Sequence, residues 1–226
     1  MLIARTIMVD DIPGYQPHAP FDVTDADDLG EQGGRLCYLS WNRPNPATAT
    51  NQGYLANILG QGHYSVLEHS SASFYIDGVT RNFTHELIRH RHLSFSEVSQ
   101  RYVDALGFVA HPGLASVTRP ARYWMDEVVE DAQDAYGTLV DNLTEQGQGR
   151  KQARQAARHV LPGGTETKIL VTGNLRAWRD LLTKRLATNA QGEPLADLEF
   201  YEVAKRILVE LKRVAPNTFQ DFEVPA

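Results

Sequence analysis

The chain has 226 residues, of which 42% are hydrophobic and 22% are charged, an ordinary balance for a globular protein. This length suits one domain with a sizeable core. The formal net charge of −6 argues against a nucleic-acid polymer as partner, because such binding needs a clustered basic face. Arginine nevertheless far outnumbers lysine and occurs in short sets, a pattern that favours small anionic ligands.

The cysteine content and the apolar runs suggest the compartment. A single cysteine, Cys37, excludes an internal disulfide and a cysteine-based metal cluster, in agreement with a reducing compartment. No signal peptide follows Met1, and no apolar run approaches the roughly 18 residues that a membrane span needs. We therefore expect a soluble, cytoplasmic protein that makes no membrane contact. Because Cys37 lies in the apolar run 36–39, we also expect it to be buried.

The first third of the chain is predicted to hold two strands and two helices. Acidic residues after Thr24 suit a helix N-terminus, and apolar and polar residues alternate from Ser71, as in a strand with one wet face. In chain order we predict a strand over Leu2–Val9, a loop over 10–21, a helix from Thr24 to Trp41, a break over Asn42–Pro46, a helix over Ala49–Leu59 and a strand over Ser71–Asp77.

The rest of the chain is predicted to be mainly helical. Apolar residues at helical spacing from Trp124 to Leu143 indicate one long helix. In chain order we predict a helix ending near Arg89–Arg91, an irregular segment over 107–120, a helix over Ala121–Leu143, a helix over Lys151–Val160, a strand over Lys168–Thr172, a helix over Arg176–Leu186 and a helix over Leu195–Val214. A single α+β domain over residues 1–226, with an antiparallel or mixed sheet packed against several long helices, is the simplest account.

The densest polar stretch runs from Arg89 to Arg101 and holds three arginines, two histidines, three serines and a glutamate. The preceding helix should end near Arg89–Arg91, at the start of this polar stretch, since the C-terminal end of a helix favours cations. The serines and Glu97 suit a loop folded around a polar ligand. Arginine forks bind phosphate or carboxylate bidentately, so this stretch predicts an anion-binding site.

Two further arginine sets follow, Arg154 with Arg158 and Arg176 with Arg179 and Arg185. Taken singly, Arg89, Arg91 and Arg101 would form a solvated basic helix end with surface ion pairs worth about 0–1 kcal/mol each. Taken together, the sets fit several phosphates or carboxylates bound at one place. We expect Arg185 to point inward, because it follows an apolar pair of leucines.

A metal site is not predicted. His85 and His90 are five residues apart, whereas the zinc proteases need two histidines four apart on one helix face.

The polar stretch also resembles the signature of a known family. Arg89-His90-Arg91, followed by seven residues and Ser99, is similar to the motif of the flavin-dependent thymidylate synthases (ThyX type). The resemblance continues through Gln100-Arg101-Tyr102 and covers the chain from about Arg35 to its end. Its other matching segments are Gly62–His69, Arg158–Pro162 and Asn174–Arg176.

The resemblance implies a ThyX-like α+β enzyme that converts deoxyuridine monophosphate (dUMP) into thymidylate (dTMP). Methylenetetrahydrofolate would donate the carbon, and FAD reduced by NADPH would donate the hydride. It also implies a homotetramer with shared active sites. Such a reaction needs no cysteine nucleophile, because a preorganised positive group can stabilise charge that develops on the uracil ring.

The resemblance also implies roles for individual residues. It assigns activation of the uracil ring to Arg185. The dUMP-binding residues would be Arg89, Ser99, Gln100, Arg101, Arg158 and Arg185. The FAD-binding residues would be Ser65, Arg89, His90, Arg91, Glu97, Asn174 and Arg176, with Ser65, Asn174 and Arg176 reaching the flavin from another subunit. No base lies near Ser99 in the sequence, so we expect it to position the nucleotide rather than attack it.

Some positions depart from the family pattern or leave alternatives open. Glu86 stands where many relatives have glutamine, and Asp180 where relatives often have Asn or His near the flavin. The segment 191–198 is longer than usual. His63 either lines the site or caps the preceding helix.

At the level of function, two alternatives remain. One is a nucleotide-binding module without catalysis, and the other is a flavoenzyme that acts on another anionic heterocycle.

Overall fold

The computed structural model describes residues 1–15, 23–41 and 45–225. These residues form four strands, which are Leu2–Arg5 (β1), Ser71–Thr80 (β2), Leu93–Glu97 (β3) and Glu166–Asn174 (β4). They also form α helices over Asp25–Leu36 (α1), Asn51–Gly60 (α2), Arg81–Leu87 (α3), Ala121–Glu145 (α4), Arg150–Ala157 (α5), Leu175–Arg185 (α6) and Leu198–Val214 (α7). Short 3₁₀ helices lie at Pro46–Thr48, Tyr64–Glu68, Pro112–Leu114 and Arg158–Val160.

The strands form one sheet in the order β1-β2-β4-β3. β1 and β2 are antiparallel, with Leu2 opposite Phe74 and Arg5 opposite Ala72. The α+β class with an antiparallel sheet is therefore confirmed, and it follows from strands that alternate polar and apolar side chains among amphipathic helices.

The chain divides into two compact units. The first consists of Met1–Tyr75, His90–Ser94 and Val171–Ala226, and the second of Ile76–Arg89 and Phe95–Leu170. The single domain over residues 1–226 stays a prediction.

The core of the first unit is built around Trp178 of α6. Its side chain is fully buried, donates its indole N–H to the carbonyl of Ala72 at 3.1 Å, and meets the Phe74 ring edge-to-face at 5.0 Å. Phe200 and Leu208 of α7 are buried in the same unit. Each fully buried side chain of this kind contributes about 2–3 kcal/mol through the hydrophobic effect. α6 is therefore a rigid support for the residues it presents.

The first unit is also held together by a buried carboxylate near its N-terminal end. Asp27 of α1 is completely buried and accepts hydrogen bonds from the N–H of Asn217, and from the N–H and hydroxyl of Thr218, at 2.6 to 2.9 Å. Burial raises the pKa of Asp27 above its usual value, although these hydrogen bonds oppose the shift. The result is a link between α1 and the segment that follows α7.

In the second unit, α4 packs on α5 through Tyr136, Val140 and Ala157, with Leu161 beside them. The long helix predicted over Ala121–Leu143 is confirmed, but its N-terminal half is exposed in the chain, since Trp124 and Val128 are each 62% accessible. Helical spacing alone did not show which turns would be covered.

Most other predicted elements are confirmed with shifted ends. The strands at residues 2–5, 71–80 and 166–174 and the helices α2, α5, α6 and α7 lie where the sequence placed them. The predicted loop over 10–21 and break over 42–46 fall partly outside the described residues. The segment 191–198 begins inside a closed turn, in which the N–H of Asn189 binds the carbonyl of Glu193 and that of Leu195 binds Ala187.

Two sequence-based expectations were wrong. The serine-rich stretch after His92 is not simply a loop, because Leu93–Glu97 forms the edge strand β3 with Leu93 buried and Ser94 exposed. The apolar run that contains Cys37 is not buried either. α1 ends at Leu36, Cys37 is its exposed C-cap, and the following Leu39 has φ of 44° and is 71% accessible. A run of consecutive apolar residues has no single helical face to bury once the helix has ended.

Candidate functional site

The guanidinium of Arg185 lies at the C-terminal end of α6, in the first unit, and contacts two aromatic rings. Its Nε–H donates to Nε2 of His90 at 3.0 Å, and its Cζ lies 4.1 Å from the centre of the Phe200 ring. The centres of the His90 and Phe200 rings are 5.9 Å apart, and the two rings are nearly edge-to-face. Arg185 is half-buried, as the leucine pair before it predicted. Its orientation is therefore set by the protein itself.

His90 is neutral in this arrangement. Burial, with the nearby positive charge of Arg185 as the second cause, lowers the pKa of His90 to about 4, against the opposing influence of Asp180. The side chain of His90 is only 7% accessible. Because Nε2 accepts a hydrogen bond, the ring proton of the neutral form resides on Nδ1.

Asp180 lies on the other side of the imidazole, with Oδ2 3.9 Å from Nδ1 of His90. The same oxygen accepts from the ammonium of Lys184 at 2.8 Å. Asp180, Lys184 and Arg185 all belong to the last turns of α6, where the helix dipole favours the two cations.

Arg179, from the same helix, has a structural role. It is 8% accessible, donates to both carboxylate oxygens of Asp221 at 2.6 and 2.7 Å, and donates to the carbonyl of Thr218 at 2.5 Å. Burial raises the pKa of Asp221, but the hydrogen bond and charge of Arg179 outweigh it and lower the pKa below its usual value. The grouping of Arg179 with the ligand-binding arginines was therefore wrong, because its buried guanidinium already binds Asp221 and Thr218.

One cavity of the first unit, of about 350 Å³, is lined by two of the predicted FAD residues, Ser65 and Arg176. Cys37 and His63 also line it. The two alternatives for His63, a residue that lines the site or one that caps the preceding helix, stay predictions. Its backbone N–H closes α2 by donating to the carbonyl of Ile58, while its side chain is exposed and lines the cavity.

A second cavity of the same unit, of about 300 Å³, shares Arg176 and adds Asn174, His92 and Asp180. Asn174 caps α6 by accepting from the N–H of Ala177 at 2.8 Å, and Arg176 pairs with Glu68 at 2.5 Å. Both cavities have volumes within the roughly 300–1,000 Å³ that is usual for small-molecule sites.

In the second unit, the predicted FAD residue Glu97 is held by three neighbours. Its Oε1 accepts from the hydroxyls of Thr84 and Thr167 at 2.9 and 3.0 Å and lies 3.1 Å from the guanidinium of Arg81. The side chain remains 22% accessible. The protein therefore fixes the position of this carboxylate.

The segment from Ser99 to Asp104, also in the second unit, forms a turn stabilised from within. The carbonyl of Ser99 accepts from the N–H groups of Tyr102 and Val103, each at 3.0 Å, and its hydroxyl accepts from the N–H of Arg101 at 3.4 Å. Gln100, the remaining predicted nucleotide contact, lies in the same turn and is half-buried.

Arg154 of α5 holds this turn through hydrogen bonds to two of its residues. It grips both carboxylate oxygens of Asp104 at 2.6 and 2.7 Å and donates to the carbonyl of Tyr102 at 3.1 Å. This hydrogen bond lowers the pKa of Asp104 below its usual value. Arg154 therefore positions the turn, and the expectation that it forms a ligand-binding pair with Arg158 was wrong.

Four predicted arginines differ from those described so far. Within the described ranges, the guanidinium groups of Arg89, Arg91, Arg101 and Arg158 form no hydrogen bond or ion pair. Nε of Arg101 is buried and, among the described residues, is a side-chain nitrogen without a hydrogen-bond partner. A buried donor without an acceptor costs about 1–3 kcal/mol, so this atom fits a site completed by an anionic ligand.

Some residues of these sites could not be found from the sequence. Phe200 carries the face on which Arg185 lies, yet it reads as an ordinary core residue of α7. His92 and Glu68 line the second cavity and lie inside the motif segments, but the sequence assigned a role to neither of them. Asp180 did carry a signal, because it departs from the residues that relatives have at this position.

Within residues 1–15, 23–41 and 45–225, no group of three or more His, Cys, Asp or Glu side chains is arranged to hold a metal ion. Over the same described ranges, every helix is too short or too polar to cross a membrane.

Comparison with known proteins agrees with the resemblance in the motif. Residues 21–217 match the family model described as thymidylate synthase complementing protein. The flavin-dependent thymidylate synthases of Mycobacterium tuberculosis (strain ATCC 25618 / H37Rv) and Mycobacterium bovis (strain BCG / Pasteur 1173P2) are each 48% identical over 221 residues, or 91% of this chain and 86% of the relative. That of Mycolicibacterium gilvum (strain PYR-GCK) is 48% identical over 224 residues, or 92% of this chain and 86% of the relative. The chain therefore belongs to the thymidylate synthase complementing protein family, the family of the flavin-dependent thymidylate synthases.

Proposed function

We propose that this chain synthesises dTMP by reductive methylation of dUMP, with methylenetetrahydrofolate as carbon donor and NADPH as reductant of bound FAD. Its membership in the family supports the reaction. The observation that carries the residue assignment is the guanidinium of Arg185, which is held by contacts with His90 and Phe200.

Arg185 is assigned the catalytic role. A preorganised cation at the uracil edge stabilises negative charge as it develops on the ring, and it does not need to reorient during the reaction. A guanidinium retains its charge at every physiological pH, so this stabilisation does not depend on proton transfer to Arg185.

The residues that would hold FAD fit such a group. Ser65, Asn174 and Arg176 line the two cavities of the first unit, His90 and Arg91 belong to the same unit, and Glu97 is fixed by hydroxyl donors in the second. FAD, when bound, supplies the hydride that completes the methyl group. The protein's part is to bind the flavin and orient it.

The dUMP phosphate and uracil would be held by Arg89, Ser99, Gln100, Arg101 and Arg158, together with Arg185. Arg101 supports this assignment most directly, because its buried Nε has no acceptor among the described residues. The Ser99 turn presents backbone and hydroxyl groups of fixed orientation, which suits positioning rather than nucleophilic attack.

Two parts of the proposal concern the protein's surroundings. We propose a homotetramer in which Ser65, Asn174 and Arg176 of one subunit contribute to the flavin site of another. We also propose a cytoplasmic location, where the single cysteine stays reduced.

The decisive experiment is a product assay for dTMP with purified protein, FAD, NADPH, methylenetetrahydrofolate and dUMP labelled with tritium at uracil C5. We expect tritium release and dTMP formation that depend on FAD, NADPH and methylenetetrahydrofolate. A colourless preparation that takes up no added FAD would instead support a nucleotide-binding module. NADPH oxidation that is indifferent to dUMP would support a flavoenzyme acting on another anionic heterocycle.

A further inference from the structure

We propose that His90 and Asp180 are positioning residues for Arg185, so that the guanidinium is oriented through the imidazole rather than by the ligand alone. The inference rests on the catalytic role proposed above for Arg185. It concerns a hydrogen bond between two side chains of the first unit and a carboxylate on the opposite side of the imidazole.

The direction of the hydrogen bond between Arg185 and His90 follows from the chemistry of the two groups. A guanidinium has five donors and no acceptor, so its Nε can only donate. Nε2 of His90, 3.0 Å away, must therefore present its lone pair. A neutral imidazole with a lone pair on Nε2 carries its proton on Nδ1.

Asp180 favours this tautomer through its charge. Its Oδ2 lies 3.9 Å from Nδ1, which is too long for a direct hydrogen bond but close enough for a carboxylate to favour the N–H on that side. Lys184, whose ammonium is 2.8 Å from the same oxygen, restrains the carboxylate and partly screens it. The contribution of Asp180 is therefore smaller than that of His90.

Phe200 limits the remaining freedom of both groups. The guanidinium carbon lies 4.1 Å from the centre of the ring, and the imidazole meets the ring edge-on at 5.9 Å. An arginine resting on an aromatic face is stabilised by the cation–π interaction, but that contact alone leaves rotation in the plane of the ring. The hydrogen bond to His90 removes this rotation.

Protonation of His90 would break the arrangement, because both ring nitrogens would then donate. The charged and titratable groups that bear on His90 are Arg185, Asp180 and Lys184 from α6, while α7 contributes the uncharged Phe200. The pKa of His90 near 4 keeps the ring neutral at physiological pH.

The test compares two amides at position 90. In His90→Gln the amide oxygen reaches the place of Nε2 and can accept from Arg185, whereas in His90→Asn the shorter amide reaches only the place of Nδ1. We expect His90→Asn to lower kcat about 10–100-fold with KM for dUMP changed much less, and His90→Gln to recover most of the loss. Equal losses in the two variants would overturn the proposal.

The carboxylate is tested with Asp180→Asn and Asp180→Ala. If Asp180 acts through charge, both should lower kcat by a similar factor of several-fold, because the amide has the shape of the carboxylate without its charge. An asparagine variant with unchanged kcat would remove Asp180 from the proposal. Bound flavin and the unfolding midpoint are measured for every variant, and a common loss of either would point to a structural role.

A readout that does not depend on the reaction separates this inference from the proposed function. ¹⁵N NMR of histidine-labelled protein, with His90 assigned by its loss in the Gln variant, should show a protonated Nδ1 and an unprotonated Nε2 at neutral pH. The opposite tautomer would overturn the proposal whatever the activity. The expected tautomer in a protein that makes no dTMP would leave the Arg185–His90 contact standing and would sink the proposed function instead.

Discussion

The arginines of α6 in the first unit and Arg101 and Arg158 in the second use the same side chain in opposite ways. On α6, Arg179 is hydrogen-bonded to Asp221 and Thr218, and Arg185 contacts His90 and Phe200. In the second unit, Arg101 and Arg158 have no partner among the described residues. A guanidinium with fixed partners holds a defined orientation, whereas one without partners can adapt to a phosphate.

The two groups of arginines therefore suit two different tasks, one that needs a donor of fixed direction and one that needs an adaptable positive charge. Stabilising one developing charge on a ring requires a donor aimed in advance, since reorientation would cost free energy during the reaction. Binding a phosphate, by contrast, needs guanidinium groups that can adjust to the oxygens of a mobile group. Four arginine substitutions test this distinction, and a fifth substitution, at Cys37, tests the mechanism without a thiol.

The largest effect is expected for Arg185→Ala. Removing the oriented cation should lower dTMP formation about 10²–10³-fold while FAD remains bound, because the uracil loses its electrostatic stabilisation. Thymidylate is measured by product analysis and flavin by its visible absorbance. Arg185→Lys is the control, and we expect it to remain strongly impaired because an ammonium cannot reproduce the bond from Nε to His90. Unimpaired turnover in the alanine variant would remove Arg185 from the catalytic role.

Arg179→Met should affect stability instead of chemistry. The substitution leaves Asp221 and the carbonyl of Thr218 without their donor, and we expect a loss of about 2–3 kcal/mol in the free energy of unfolding, reduced by the partial exposure of Asp221. Urea denaturation measures the loss. Turnover per folded molecule should change little. A large fall in kcat at unchanged stability would place Arg179 with the ligand-binding arginines after all.

Arg101→Ala should weaken dUMP binding by about 1.5–3 kcal/mol, since a charged hydrogen bond to the nucleotide is lost. We expect KM for dUMP to rise about 10–100-fold and the unfolding midpoint to stay the same or increase, because a buried donor without a partner is removed. The neighbouring exposed Tyr102→Phe is a matched control. An unchanged KM would show that Arg101 does not contact the substrate.

A smaller effect is expected for Arg91→Ala. Arg91 is exposed and forms no ion pair within the described ranges, so its loss should cost little stability. We expect weaker FAD retention by about 1 kcal/mol, because a contact made by an exposed arginine is screened by solvent. Absorbance after dialysis reports it, and a variant that stays fully yellow would contradict the assignment.

Cys37→Ser should have the smallest effect. The thiol caps an exposed helix end and lines the larger cavity without a catalytic partner among the described residues, so we expect activity within about twofold of the unchanged chain and a stability change below about 0.5 kcal/mol. Loss of dTMP formation in a folded protein would contradict a mechanism without a sulfur nucleophile.

The sequence predicted the elements of the fold well wherever periodicity and caps agreed. α6 and α7 carry regular apolar spacing and N-caps from Asn174 and Asp197, and both helices were found. The apolar run around Cys37 misled, because consecutive hydrophobic residues indicate burial only when one helical or strand face collects them. The strand β3 was missed since its serines read as a loop, and its pairing with β4 is a long-range contact.

For the site, the sequence predicted which residues carry function better than it predicted which residues contact one another. The sequence identified Arg185, His90 and Arg101 as carriers of function by resemblance, but it could not show that Arg154 and Arg179 are used up by Asp104 and Asp221. Those pairs join residues 50 and 42 positions apart, and nothing in local spacing specifies them. The contact of Phe200 with Arg185 could not be predicted for the same reason.

The hydrogen bonds from Thr218 to Asp27 have a consequence for biosynthesis. Their partners are 191 positions apart, so the first unit lacks this contact until Thr218 has left the ribosome. The second unit, by contrast, is encoded between residues 76 and 170, apart from a short gap, and has all of its segments much earlier. A nascent chain halted shortly before Thr218 would therefore expose the buried carboxylate of Asp27 and the apolar side chains beside it, and such a fragment should be a preferred substrate for chaperones and proteases.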